Sequence, residues 1–140
     1  MLGQVCTKPV VTASANTTIA EAARVMRTKN VGALVVVNAG RPLGMLTDRD
    51  ITMQVVAQGK DPDTVRVADV MRKKPITVRA EQGIFDAAKT FAKCGVRRLP
   101  VVDKSGKMVG IIATDDLMIL LANEMGHVAA GLSAGLRKAS

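Results

Sequence analysis

Apolar residues mark out one helical face twice along this chain, at the same spacing. Ile19, Ala22, Ala23 and Met26 stand at i, i+3, i+4 and i+7, and Ile84, Ala87, Ala88 and Phe91 repeat the pattern. That period predicts two amphipathic helices. Thr18 precedes the first, and Glu21 three residues on completes a capping-box pattern. Asn30 and Gly95 follow the two helices, the residue types that best tolerate a left-handed C-terminal position. Short β-branched runs come next, at residues 33–37 and 99–102. They are continuous rather than alternating, so they read as buried strands. Residues 38–41 and 103–106 have turn compositions. Third strands follow at 43–46 and 109–112, then second helices opening at Thr47 and near Thr114. The first of these should stop around Gly59, and residues 60–63, Lys-Asp-Pro-Asp, read as a linker. Each unit begins with a short extended piece, 10–13 or 75–78.

The two units are one pattern in two copies. With Thr12 laid on Thr77, Val5 meets Val70, Lys8 meets Lys73, and Val31 and Leu34 meet Val96 and Leu99. Val36 and Val37 meet Val101 and Val102. One extra residue in the second turn shifts the register, after which Gly40, Gly44 and Asp50 meet Gly106, Gly110 and Asp116. A repeat of about 65 residues is too long for a solenoid unit and suits a duplicated subdomain. The fold class expected is α+β, each copy running strand–helix–strand–strand–helix. A three-stranded sheet with two helices leaves one face bare. Packing the copies sheet against sheet covers it, in a pseudo-two-fold arrangement with two equivalent clefts. The division expected is repeat one at 1–60, repeat two at 61–122 (linker 60–66 included) and a C-terminal helix or tail at 123–140. Running from repeat two into that last part, Leu117, Leu121, Met125, Val128, Leu132 and Leu136 form an amphipathic stripe that covers the module or pairs with a second subunit.

Composition narrows the function classes. The chain has 140 residues, 48% of them hydrophobic, enough to bury a core. No run of about 18 uninterrupted apolar residues exists, so no membrane span is expected. The N-terminus lacks the basic-then-apolar order of a signal peptide, which points to a cytoplasmic protein with Cys6 and Cys94 as free thiols. Those two cysteines and the lone His127 make too small a set for a metal centre. The net charge of +8 favours anionic partners. Phe85 and Phe91 are the only aromatic residues, which counts against a single-stranded nucleic-acid binder. No nucleophile–base pair can be read from spacing. Asp48, Asp50, Asp115 and Asp116 sit at helix starts, where acidic side chains are explained without chemistry. No enzyme is expected.

At residues 44–51, Gly-Met-Leu-Thr-Asp-Arg-Asp-Ile, and 110–117, Gly-Ile-Ile-Ala-Thr-Asp-Asp-Leu, the chain resembles the end of a cystathionine-β-synthase-type (CBS) repeat. Residues 67–71 with 75–78 resemble the start of one, and 95–103, Gly-Val-Arg-Arg-Leu-Pro-Val-Val-Asp, its middle. The resemblance covers roughly residues 1–120. It implies a tandem CBS pair, or Bateman module, that binds an adenosine-type nucleotide between its repeats: AMP, ADP, ATP or S-adenosylmethionine. It also implies pairing of modules as a homodimer and an effector protein supplied in trans. In the family pattern a Thr or Ser serves phosphate and an Asp three residues on serves ribose; Thr47 and Asp50 match it. The same two residues also read as a helix cap, and the readings are compatible because a helix start attracts phosphate. In copy two Ala113 takes the hydroxyl position, with Thr114 one residue later, while Asp116 keeps the ribose position. Pro100, which the family often carries, is matched by Val35 in copy one. Unequal clefts are therefore expected, the better one holding Thr47 and Asp50. The adenine slot would be walled by Val11 and Thr12, by Val31, Gly32, Ala33 and Leu34, by Ile76 and Thr77, and by Val96, Arg97, Arg98 and Leu99. Gly32 and Ala33 leave room for a close ligand, and one of Arg97 and Arg98 could face a phosphate. Two other readings stand beside the nucleotide sensor: a ligand-free structural or dimerisation module, motivated by Ala113, and a nucleic-acid binder, motivated by charge.

Overall fold

The computed structural model describes residues 1–139. Repeat one contains β1 (Thr12–Ala13), α2 (Ile19–Lys29), β2 (Ala33–Asn38), β3 (Arg41–Thr47) and α3 (Asp48–Ile51). Repeat two contains β5 (Val78–Arg79), α5 (Ile84–Cys94), β6 (Arg98–Val102), β7 (Met108–Ala113) and α6 (Thr114–Ala139). Two short helices, α1 (Leu2–Val5) and α4 (Val67–Val70), and a two-residue strand, β4 (Arg72–Lys73), complete the chain. The two central helices end as their sequence indicates. Asn30 has φ 53° and Gly95 φ 65°, and each backbone N–H closes the last helical turn. Only the first half of the Thr18 box forms, with Glu21 N donating to Thr18 Oγ1 at 3.2 Å. On α2 the face is Ile19, Ala22 and Met26; Ala23 turns outward and Val25 packs in its place.

Each repeat has its own core beneath a sheet. Ile19, Ala22, Met26, Leu34, Val36 and Leu46 anchor the first, and Ala87, Phe91, Leu99, Val101 and Ile112 the second. Val35 and Pro100, at matched positions, belong to neither cluster and yet are fully buried. Strand alternation puts them on the other face of their sheets, the face between the repeats. Val36/Val37 and Val101/Val102 carry the same register shift, so the duplication extends to the sheet irregularities.

The structure departs from the sequence reading at the start of each repeat. The first sheet has four strands, not three: β1-β2-β3-β4, with β1 parallel to β2 and the other pairs antiparallel. Its extra strand, β4, is the opening segment of repeat two. Reciprocally, Thr7 bridges Ile111 at the edge of the second sheet, β5-β6-β7. The short helices follow the same exchange. Leu2 of α1 is buried in the second core, and Val67 and Val70 of α4 in the first. Matched hydrogen bonds fix them: Gly3 N to Ala80 O at 3.0 Å, and Ala68 N to Ala15 O at 2.9 Å. Each repeat thus lends its opening segment to the other.

Gly44 and Gly110 make the exchange fit. A Cβ on Gly44 would lie 2.7 Å from Arg72 O and 2.9 Å from Met71 Sδ, and one on Gly110 would strike Cys6 Sγ. Two helices also differ from expectation. The helix after Thr47 continues beyond Ile51 as a π-helical stretch, Thr52–Val56. The last helix shows no break at residue 122; α6 is one helix of 26 residues. It is also long and apolar enough, by length and composition, to cross a membrane, although polar residues interrupt its apolar run. Of the expected tail, Ser140 lies outside the described residues.

Candidate functional site

The exchange creates two clefts, each lined by both repeats. The larger, about 530 Å³, takes Met45, Thr47, Asp48 and Arg49 from the end of β3 and the start of α3. Facing them are Arg72, Lys73, Lys74, Pro75 and Ile76 from the crossing segment, and Gly95, Val96, Arg97 and Arg98 after α5. The smaller, about 310 Å³, is its counterpart under the internal symmetry. It is lined by Thr7, Pro9, Val10 and Val11, by Asn30, Val31, Gly32 and Ala33, by Ile111 and Ala113, and by Arg98. Both volumes lie in or near the range of small-molecule sites.

The clefts are assembled crosswise. Thr47 shares a cleft with Val96, Arg97 and Arg98 of repeat two, whereas Val31, Gly32 and Ala33 face Ala113 in the other. Gly32 does not leave open space: a Cβ there would meet Asp48 Oδ2 at 3.2 Å. Val11 lines the smaller cleft and Ile76 the larger, as the sequence indicated; the remaining sequence-indicated residues line neither. Leu34, Leu99 and Pro100 are fully buried. Thr12 and Thr77 are exposed beside the clefts' extended segments. Thr114 and Asp116 are half-buried at the start of α6.

Thr47 and Asp50 form a complete capping box. Asp50 N donates to Thr47 Oγ1 at 3.1 Å, and Thr47 N donates to Asp50 Oδ2 at 3.0 Å. Asp50 is 3% exposed, and its second oxygen accepts from Arg72 Nε at 3.4 Å. Its carboxylate is therefore occupied in holding α3 and β4 together, and it lies behind the cleft wall. The threonine keeps one capability. The cap uses the hydroxyl as an acceptor, and its O–H can still donate toward the cleft. The nearby amides are engaged within the protein: Asp48 N with Gly32 O at 3.0 Å, and Arg49 N with Asp48 Oδ1 at 2.8 Å. Anion attraction here rests on side-chain cations more than on a helix end. In repeat two only half of the box survives. Asp116 Oδ2 accepts from Ala113 N at 3.0 Å, and Ala113 has no hydroxyl to return the bond.

In the crossing segment the sequence indicated Ile76 but not the three cations before it. Arg72, Lys73 and Lys74 join Arg49, Arg97 and Arg98 around the larger cleft, with Asp48 the only acidic residue in its lining. The run Arg-Lys-Lys before Pro75 was a visible signal, but its place in the fold depends on the exchange. Among the described residues no cluster of three or more His, Cys, Asp or Glu side chains could hold a metal ion.

The profile of the CBS domain matches residues 2–57 and 67–123. The chain belongs to the CBS domain family. It is 42% identical over 125 residues to the CBS domain-containing protein YhcV of Bacillus subtilis, covering 89% of this chain and 86% of that one. It is 39% identical over 118 residues to an uncharacterized protein of Methanopyrus kandleri, covering 84% of this chain but only 60% of the relative's length. Among solved structures, the CBS domain pair of protein MJ0100 in complex with 5′-methylthioadenosine and S-adenosyl-L-methionine superposes with a TM-score of 0.77 at 27% identity. That match covers 89% of this chain and 97% of that one. The CBS domain protein PAE2072 from Pyrobaculum aerophilum, complexed with AMP, gives 0.75 at 27% identity, over 87% and 98%. CBS pairs similar to this one thus carry adenosine compounds, and the chain is a tandem CBS pair with a C-terminal helix.

Proposed function

We propose that this CBS pair is a regulatory module that binds a phosphate-bearing adenosine nucleotide in its larger cleft and reports occupancy to a partner protein, catalysing nothing itself. The cation ring carries the reading. Six Lys and Arg side chains face one acidic residue around the larger cleft, while the smaller cleft has Arg98 alone. That imbalance favours ADP, ATP or AMP over S-adenosylmethionine, whose sulfonium is itself a cation. Arginine forks match phosphate geometry, and the Thr47 hydroxyl can add a donor. The apolar side chains of Met45, Ile76 and Val96 offer a surface for the base. Signalling follows from differential binding. The ligand would touch β3, the crossing segment and the turn after α5, so it favours whichever arrangement of the repeats brings these three together.

The test is thermal unfolding against AMP, ADP, ATP, S-adenosylmethionine and a GMP control. A ligand of the folded state raises the midpoint as its concentration passes Kd. Lys73→Ala with Arg97→Ala should abolish the rise and leave the unliganded midpoint nearly unchanged, since both side chains are exposed. Thr47→Ala is a weaker probe, because it also removes a cap. No rise with any nucleotide at millimolar concentration rejects the sensor. The ligand-free interaction module then takes its place, a reading favoured by Asp50 already being satisfied within the protein.

A further inference from the structure

The last two-thirds of α6 leave the body of the protein. From residue 122 to 139 every residue but Ala134 is exposed. One face of the helix serves the second core, through Leu117 and Leu121. Beside it runs a second apolar stripe: Met118, Ala122, Met125, Ala129, Leu132 and Leu136. The steps are four, three, four, three and four residues, the alternation of a coiled-coil seam. Its large members are 67–73% exposed.

We propose that this stripe pairs with the same stripe of a second copy, antiparallel, with the two-fold axis passing beside His127. The sequence is self-complementary in that direction and in no other. Met118 of one copy then faces Leu136 of the other, Ala122 faces Leu132, and Met125 faces Ala129. The two inner layers set a large side chain against a small one, which is how facing positions interdigitate without voids. A parallel pair would stack Ala122 on Ala122 and Ala129 on Ala129, leaving gaps between layers of large on large. Charge selects the same direction. Asp115 and Asp116 open the helix, and Arg137 and Lys138 close it. Antiparallel pairing brings acidic and basic ends together and opposes the helix dipoles, whereas parallel pairing sets like charges side by side. Gly126 and Gly135 flank the seam with no neighbour within 4 Å, so two helices can approach closely there. The helix has the length and hydropathy to cross a membrane. Asn123, Glu124 and His127 near its middle favour a helix partner in water over a bilayer.

Sedimentation of the full chain should show a dimer that dissociates on dilution, and Leu132→Glu should raise its dissociation constant at least about tenfold. Leu132 is exposed, so unchanged circular dichroism will verify the fold. Direction is read with Met118→Cys and Leu136→Cys in a Cys6→Ala, Cys94→Ser background. Antiparallel pairing predicts a disulfide only when the two variants are mixed, because like positions lie roughly 27 Å apart. Disulfides within each variant alone would show parallel pairing and overturn the proposal. A monomer at every concentration, a dimer untouched by Leu132→Glu, or monomers floating with phosphatidylglycerol-containing vesicles would overturn it as well. None of these outcomes bears on nucleotide binding, which rests on other residues.

Discussion

Replacing Gly44 by alanine tests the exchange of opening segments directly. The added Cβ would lie 2.7 Å from Arg72 O, 2.9 Å from Met71 Sδ and 3.2 Å from Met71 Cγ. The methionine can swing aside, being flexible and only half-buried. The carbonyl cannot, because β4 pairs with β3 at Gly44↔Lys73 and Met45↔Arg72. The strand must therefore retreat by several tenths of an ångström. Overpacking of this kind costs about 1–3 kcal/mol. For a chain of this size that is a fall in Tm of roughly 3–12 °C. The retreat also draws Arg72 away from Asp50, so the nucleotide-induced rise in Tm should shrink with the stability. Gly131→Ala is the control. It sits in an exposed stretch of α6 with nothing within 4 Å, where alanine should stabilise by about 0.5–1 kcal/mol. The assay is urea and thermal denaturation of both variants beside the parent. A Gly44→Ala protein as stable as the parent would refute the reasoning: the crossing would then be loose enough to absorb a methyl group.

Three further outcomes follow. Ala113→Thr should restore the missing half of the second capping box and raise stability by about 0.5–1 kcal/mol, read as a shift in urea midpoint. Arg72→Ala strips the buried Asp50 carboxylate of its only cationic partner among the described residues. With the arginine largely solvated and the bond long, the loss should be about 1 kcal/mol, and Arg72→Lys should recover part of it. The Ser105 hydroxyl, then the Lys107 and Ser105 amides, hold the half-buried Asp103 carboxyl below its ordinary value of 3.8. A lowered folded value means its contribution is present above the unfolded value and is lost as pH falls through the folded one. Asp103→Asn should therefore lower Tm at neutral pH, with the difference from the parent closing only below about pH 4, as a Tm series across pH would show.

The parts of the fold governed by local chemistry were legible. Asn30, Gly95 and Thr47 marked helix ends because a left-handed turn and a capping hydroxyl leave a signature in single residues. The buried strands showed as unbroken β-branched runs. The exchange did not show. Aligning the copies reveals that Arg72 matches Thr7, but not whether each pairs within its own repeat or with the other. A two-residue strand carries no periodicity to help. The site suffered accordingly. Val31–Ala33 and Thr47 are close in sequence, yet the structure assigns them to different clefts, and the Arg72–Lys74 run could be read only as surface charge. Nothing in the sequence marks the π-helical stretch at Thr52–Val56, and the structure offers no physical reason for it.

The reciprocal loan of opening segments also sets an order of events during synthesis. Met45 and Arg72 lie within one stretch of chain, so the first sheet can complete itself soon after the second repeat begins to emerge. Thr7 must wait for Ile111, about a hundred residues later. Closing so long a loop comes late and is entropically dearer than the local pairing. Until the second repeat is made Leu2 has no core to enter, and residues 2–7 stay unclaimed. Thr7 finds its partner only when β7 is made, so of the two reciprocal clasps the one at Ile111 is the later to close.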